Sequence, residues 1–166
     1  GKIAGQANGA VWITYGETIV LVTACRSKRA GDRDFLPLTV EYREKAYAAG
    51  RIPGNFFRRE TRMGEKETLA ARLTDHMIRP MFPKAYRHEV QVFISILSSD
   101  GENDADVLGM VGSSASLVLS DMPFDGPIAA VRVGRVDGDL VVNPTNSQLE
   151  ESDMDLIISG DRDSIG

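Results

Sequence analysis

The chain has 166 residues, a formal net charge of −5, and is 42% hydrophobic and 26% charged. That is enough for one domain with its own core, and it is the composition of an ordinary soluble globular protein rather than a fibrous or disordered one. Cys25 is the only cysteine, which excludes a disulfide framework and a thiolate metal cluster. No apolar run approaches the roughly 20 residues of a membrane helix, and the first residues do not form a signal peptide, so a cytoplasmic protein with no membrane partner is expected. The charge is unevenly spread. Residues 26–62 hold ten Lys/Arg against five Asp/Glu, and residues 63–166 hold eight against eighteen. A basic stretch on an acidic body steers a polyanion to one place, although a merely solvated loop has the same composition.

Gly1 to Ala10 is small and polar. Ala10–Tyr15 and Thr18–Ala24 read as two strands joined by a tight turn at Gly16-Glu17. The second strand is apolar throughout, which predicts a central place with both faces buried. Arg26 to Arg33 is a charged loop, and Phe35 to Arg43 alternates as a third strand through Leu36, Leu38, Val40 and Tyr42.

Tyr47 to Arg62 is broken by Gly50, Pro53 and Gly54 too often for a helix or a central strand, so it reads as a surface loop. It carries Phe56 and Phe57 beside Arg58, Arg59 and Arg62. Guanidinium groups that meet phosphate, next to rings that stack on bases, are the combination that grips single-stranded nucleic acid. The plainer alternative folds the phenylalanines back into the core and leaves the arginines solvated.

Gly64 to Arg79 reads as an amphipathic helix, with Glu65 and Glu67 at the positive end of its dipole and Pro80 limiting its far end. Leu69, Leu73, Met77 and Met81 follow i, i+4 spacing and are expected in the core. Arg72, Asp75, His76 and Arg79 share the other face, either as solvated ion pairs or as phosphate-facing cations. Val90–Leu97 is a further strand. Asp104–Ser120 is a second helix with Asp104 as its N-cap candidate, and Gly109, Gly112, Ser113, Ser114 and Ala115 give it a small-residue face suited to a close sheet. The acidic run Asp100–Asp106 has its glycine in the wrong place for a calcium loop and lacks the closing glutamate. His76 and His88 have no ligand-like neighbours in sequence. Ile128–Val136 and Leu140–Asn143 form a hairpin around Asp137-Gly138, and Met154–Ser159 is the last strand. Hairpins with two well-separated helices predict a two-layer α+β domain, helices on one face of a mixed sheet.

The stretch Ala49-Gly-Arg-Ile-Pro-Gly-Asn-Phe-Phe-Arg-Arg-Glu60 resembles a loop of the polynucleotide phosphorylase family, in the first of its two RNase PH-like core domains. The resemblance continues through Leu69–Asp75 and Ile78–Pro83, and resumes at Glu89–Val92, Gly126–Val133 and Val142–Thr145. It thus covers nearly the whole chain. It implies the β-α-β fold of RNase PH domains, with residues 1–145 as the first core domain, missing an N-terminal strand, and 146–166 as the truncated start of the next subdomain. It also implies a loop that lines the entrance to a central channel. Phe56, Phe57, Arg58, Arg59, Arg62, Arg72 and Arg79 then become RNA-binding candidates. Family members degrade single-stranded RNA from its 3′ end by attack of inorganic phosphate, release nucleoside diphosphates, and run in reverse as polymerases. The resemblance further implies Mg²⁺ or Mn²⁺, a homotrimeric ring, partners in RNA-degradation complexes, and the cytoplasm.

Two departures bear on chemistry. Where the family's catalytic core has serines at a helix N-terminus to hold phosphate, this chain has Asp104-Ala105-Asp106, whose carboxylates repel an anion. Where the catalytic core has two aspartates for a divalent metal, Asp153 keeps the later one and Ser147 replaces the earlier. Thr61, Met63, His76 and Met77 also depart from the family's usual residues. The expectation is a non-catalytic RNA-holding core with no catalytic or metal-binding residue of its own. An inactive ring subunit of an exosome-like assembly is the alternative.

Overall fold

The computed structural model describes residues 3–54, 60 and 62–165. Strand β1 (Gly9–Tyr15) pairs antiparallel with β2 (Thr18–Ala30), from Gly9 opposite Ala24 to Tyr15 opposite Thr18. Gly16 makes the two-residue turn possible at φ 57°, a left-handed conformation that a side chain resists. On its other edge β2 pairs antiparallel with β4 (His88–Ser98), and β3 (Leu38–Glu44) lies parallel to β4, so the order is β1-β2-β4-β3. The apolar second strand is central, as expected. Only one of its faces is sealed, however: Val20, Val22 and Ala24 are fully buried, while Ile19, Leu21 and Thr23 on the other face are half-buried.

Helices α1 (Glu65–Ile78) and α2 (Ala105–Val118) cover the sealed face, α2 across β1 and β2 and α1 across β3. The small-residue face of α2 permits a close approach. A Cβ on Gly112 would stand 2.7 Å from Cγ2 of Val22, and one on Gly9 would stand 1.9 Å from the carbonyl oxygen of Ser116. Val90, Val92, Ile94 and Ile96 from β4 meet Met110 and Leu117 of α2 and Met77 and Ile78 of α1 in one core. Each such buried side chain contributes about 1.5–3 kcal/mol.

The core face of α1 differs from the expected one. Met77 is buried as expected, but Leu69 and Leu73 are exposed, and Ala70, Ala71, Thr74 and Ile78 are buried in their place. The helix lies on β3 through its alanines, which allow a nearer approach than leucines would, and the leucines turn toward the cleft between α1 and the second sheet. A three-residue 3-10 turn (Arg79–Met81) follows α1.

The second sheet takes strands from both sides of residue 145. It consists of β5 (Ala129–Val136), β6 (Asp139–Val142) and β7 (Asp155–Gly160), all antiparallel in the order β6-β5-β7. Asp137 and Gly138 both take positive φ, as a type I′ hairpin turn requires. A short helix α3 (Asn146–Glu150) that the periodicity did not reveal starts at Thr145, whose hydroxyl accepts the Gln148 N–H. The first turn of α2 lies where the two sheets come together.

Candidate nucleic-acid interface

The arginine-rich loop leaves the fold at the end of β3. A 3-10 turn (Ala46–Ala49) closes on Gly50 at φ 64°, and the chain then runs outward through exposed Arg51, Ile52 and Gly54. Phe56, Phe57, Arg58 and Arg59 lie outside the described residues. Arg62, on the return, is exposed. Arg72 is exposed on α1, beside a cleft of about 450 Å³ between α1 and the edge of β3 that is also lined by Val40, Met63, Asp75 and His76. The face shared by Arg72, Asp75, His76 and Arg79 therefore exists as the spacing predicted. Arg79 has a different setting from Arg72. Its Nε and Nη2 donate to the Asp75 carboxylate at 2.9 and 2.7 Å, and Nη1 and Nη2 donate to the carbonyls of Leu36 and Leu38 at 3.0 and 3.3 Å. It thus ties the end of α1 to the free edge of β3, with 41% of its side chain still exposed.

The start of α2 is the second place where chemistry was anticipated. Asp104 occupies the N-cap, as expected, but its side chain makes no capping bond. Its oxygens instead meet Arg132 Nη1 at 2.8 Å and Lys66 Nζ at 3.1 Å. Asp106 accepts from the same Arg132 nitrogen at 3.2 Å and from the Val107 N–H at 2.6 Å. Arg132 then completes a two-pronged pair with Asp155 of β7, both contacts at 2.7 Å. Burial, then the charge of Asp104, pushes the Asp106 carboxyl up from its usual range, against the pull of Arg132. The hydrogen bonds from Arg132 hold Asp155 below the usual carboxylate range. Burial works against the Lys66 charge, but Asp104 and Glu44 outweigh it and raise its pKa.

Three carboxylates therefore converge on one guanidinium at the wall of the cleft between α1 and the second sheet. A phosphate here would meet Asp104 and Asp106, and the Val107 amide is already engaged by a carboxylate. A divalent cation would have to displace Arg132, so these residues do not fit a metal. The other two positions are separated from this cluster by their own partners: Ser147 donates to Glu102 at 2.7 Å, and Asp153 pairs with Arg135 at 2.8 Å. Sequence reasoning did not single out Arg132, Lys66 or Asp155. The available signal was an arginine in register with the buried Ala130 and Gly134 of its strand, where an inward charge demands a partner.

A mixed sheet under two helices, followed by a small antiparallel sheet against the start of α2, defines the class of RNase PH-like domains. The chain belongs to the 3′ exoribonuclease family: residues 1–123 match its domain 1 and residues 126–166 its domain 2. Among curated relatives, the polyribonucleotide nucleotidyltransferases of Desulfatibacillum aliphaticivorans and Desulfosudis oleivorans are 60% and 58% identical to it, over 99% of this chain and 24% and 23% of theirs. That of Thermus thermophilus is 54% identical, over 99% of this chain and 23% of its own length. The chain thus spans about a quarter of the length of these relatives. Among solved structures, rice Rrp46 superposes with a TM-score of 0.75 at 14% identity, covering 96% of this chain and 71% of that one, a likeness of fold.

Proposed function

We propose that the chain is the RNA-holding, non-catalytic first core of a polyribonucleotide nucleotidyltransferase, which degrades single-stranded RNA from the 3′ end by phosphorolysis. In this reading Phe56 and Phe57 stack on bases while Arg58, Arg59, Arg62 and Arg72 meet phosphates, and Arg79 joins them through the exposed part of its side chain. The nucleoside diphosphates are released at a second core outside these residues. Phosphate and Mg²⁺ or Mn²⁺ bind there, the metal offsetting charge on the reacting phosphates. The whole protein works in this proposal as a homotrimeric ring in the cytoplasm, with RNA-degradation partners. No helix among the described residues is long and apolar enough to cross a membrane.

The observation that carries the non-catalytic assignment is the filling of the α2 start by Asp104, Asp106 and Arg132. The names and identities of the relatives support the parent activity. The test incubates the whole natural protein and this 166-residue piece separately with end-labelled oligoadenylate and Mg²⁺, with and without phosphate. Nucleoside diphosphates from the whole protein alone are expected. Diphosphates from the piece would overturn the assignment. RNA binding by the whole protein without diphosphates would favour an inactive ring subunit.

A further inference from the structure

We infer that single-stranded RNA held along α1, the reading above on which this rests, continues onto Phe35 and five cations at the end of the first sheet far from the start of α2. The residues that the sequence presents as a charged loop after Arg26 are in part an extension of β2. Arg26 stands opposite Val90 of β4 but Ala30 stands opposite His88, so four steps of β2 match two of β4. A bulge of this kind ends regular pairing and re-aims side chains. Lys28 and Arg29, within it, are exposed. The segment before β4 lies against them: the Gly31 N–H donates to the Arg87 carbonyl at 3.0 Å, and the Glu89 N–H donates to Ser27 Oγ at 3.0 Å. Lys84 and Arg87 are thereby brought to the same end. Arg33 and Phe35 follow Gly31 closely, with the guanidinium carbon 5.7 Å from the ring centroid and 58% of Phe35 still exposed.

Arg26, Arg79, Arg132 and Arg135 are each held by a carboxylate. Lys28, Arg29, Arg33, Lys84 and Arg87 have no carboxylate partner among the described residues. Arg87 donates Nη1 to the carbonyls of Lys84 and Tyr86 and keeps its charge unpaired. The same segments, 27–35 and 83–89, hold Asp32, Asp34 and Glu89. Five cations against three carboxylates make this end positive on a chain of net charge −5, so it draws a polyanion that the acidic remainder repels. The two surfaces are joined. Arg79 Nη1 donates at 3.0 Å to the carbonyl of Leu36, the residue after Phe35, so the last cation of the α1 face adjoins the exposed ring. Arg72 and Arg79 are about 10 Å apart along the helix axis, and a strand that follows them arrives at Phe35. Bases stacked on an aromatic ring, with phosphates on Lys and Arg, are how single strands are held without sequence preference. The exposed ring among the cations favours a ligand with bases over an anion without them.

The test measures oligoadenylate binding by the whole natural protein at several salt concentrations, with inorganic polyphosphate as a ligand without bases and thermal unfolding as the control for folding. Lys28→Ala with Arg29→Ala is expected to weaken RNA binding about tenfold and to lower the salt slope by about 1.4, since each phosphate contact on a single strand contributes about 0.7. Phe35→Ala is expected to weaken RNA binding about tenfold at an unchanged slope and to leave polyphosphate binding as it was. Phe35→Trp keeps a stacking ring and should restore the affinity. Arg72→Ala, on the α1 face, is the reference. Parent affinity in either patch variant beside a weakened Arg72→Ala would overturn the inference and leave the RNA-holding reading standing. Parent affinity in all three would remove that reading and the inference with it. Equal losses of RNA and polyphosphate binding in Phe35→Ala would also overturn it, because the ring would then serve only to place the cations. Should a patch variant unfold early, Lys84→Ala on the neighbouring segment takes its place, and parent affinity there likewise sinks the inference.

Discussion

Arg132 sits on β5 with its side chain turned inward, 16% exposed, and two-pronged contact with Asp155 leaves its Nη1 shared between Asp104 and Asp106. Replacing it by methionine keeps much of the volume but takes the cation from nearly buried Asp106 and leaves Asp104 to Lys66. Removing one partner of a buried pair costs about 3–5 kcal/mol, and half-exposed Asp155 brings the expected loss for Arg132→Met to about 3 kcal/mol in urea unfolding. That loss should shrink in acid. A carboxyl raised above its unfolded value, as Asp106 is, binds its proton more tightly when folded, so stability rises as pH falls from the raised value toward 3.8. Without Arg132 the upward shift is larger and the rescue by acid is greater. Asp100 has the opposite sign. The Asn103 N–H, with those of Glu102 and Glu17, holds its carboxyl well below the usual 3.8. Its contribution is therefore present above that value and fades as pH falls below it. Asp100→Asn should flatten the acid limb of the stability profile, and an unchanged limb would mean that other carboxylates set it.

At the scale of elements, α2 depends on having no side chain at Gly112. Its α-carbon faces Val22 so closely that an added Cβ would stand 2.7 Å from a methyl carbon of the central strand. Gly112→Val should therefore destabilise the domain by about 1–3 kcal/mol or more, despite the better helix propensity of valine, because helix and sheet must move apart. A melting temperature equal to the parent's would show that α2 can shift without loss. The same close approach explains why α1 behaved unlike its leucine pattern. A helix seated on β3 through Ala70, Ala71 and Thr74 has its leucines one helical step aside, and nothing in the local sequence says which stripe meets the sheet.

For the whole molecule, the ion-paired start of α2 and the separated Ser147 and Asp153 make one prediction. Ser147→Asp restores the missing family carboxylate, yet the new group would face Glu102 rather than Asp153, which is paired with Arg135. No phosphate-dependent turnover is expected from the 166-residue piece carrying this change, and any release of nucleoside diphosphates by it would move the phosphate site elsewhere. Much of the architecture was legible because its rules are local. The Gly16 and Asp137-Gly138 turns, the alternation of β3 and the small-residue face of α2 each state their own conformation. The letters of the Ala49–Glu60 loop likewise announced the family, and the aspartates at 104 and 106 announced an acidic start to α2. Their partners were not legible. Asp104 finds Arg132 at a separation of 28 residues, and Ala46 finds Glu60 at 14. The sequence by itself therefore determined most of the strands, the two long helices, the tight turns and the acidic start of α2, since these follow from neighbouring residues. Only the tertiary structure decided which cation neutralises the α2 carboxylates and which stripe of α1 is buried, because each of those is a contact between segments that chain packing alone brings together.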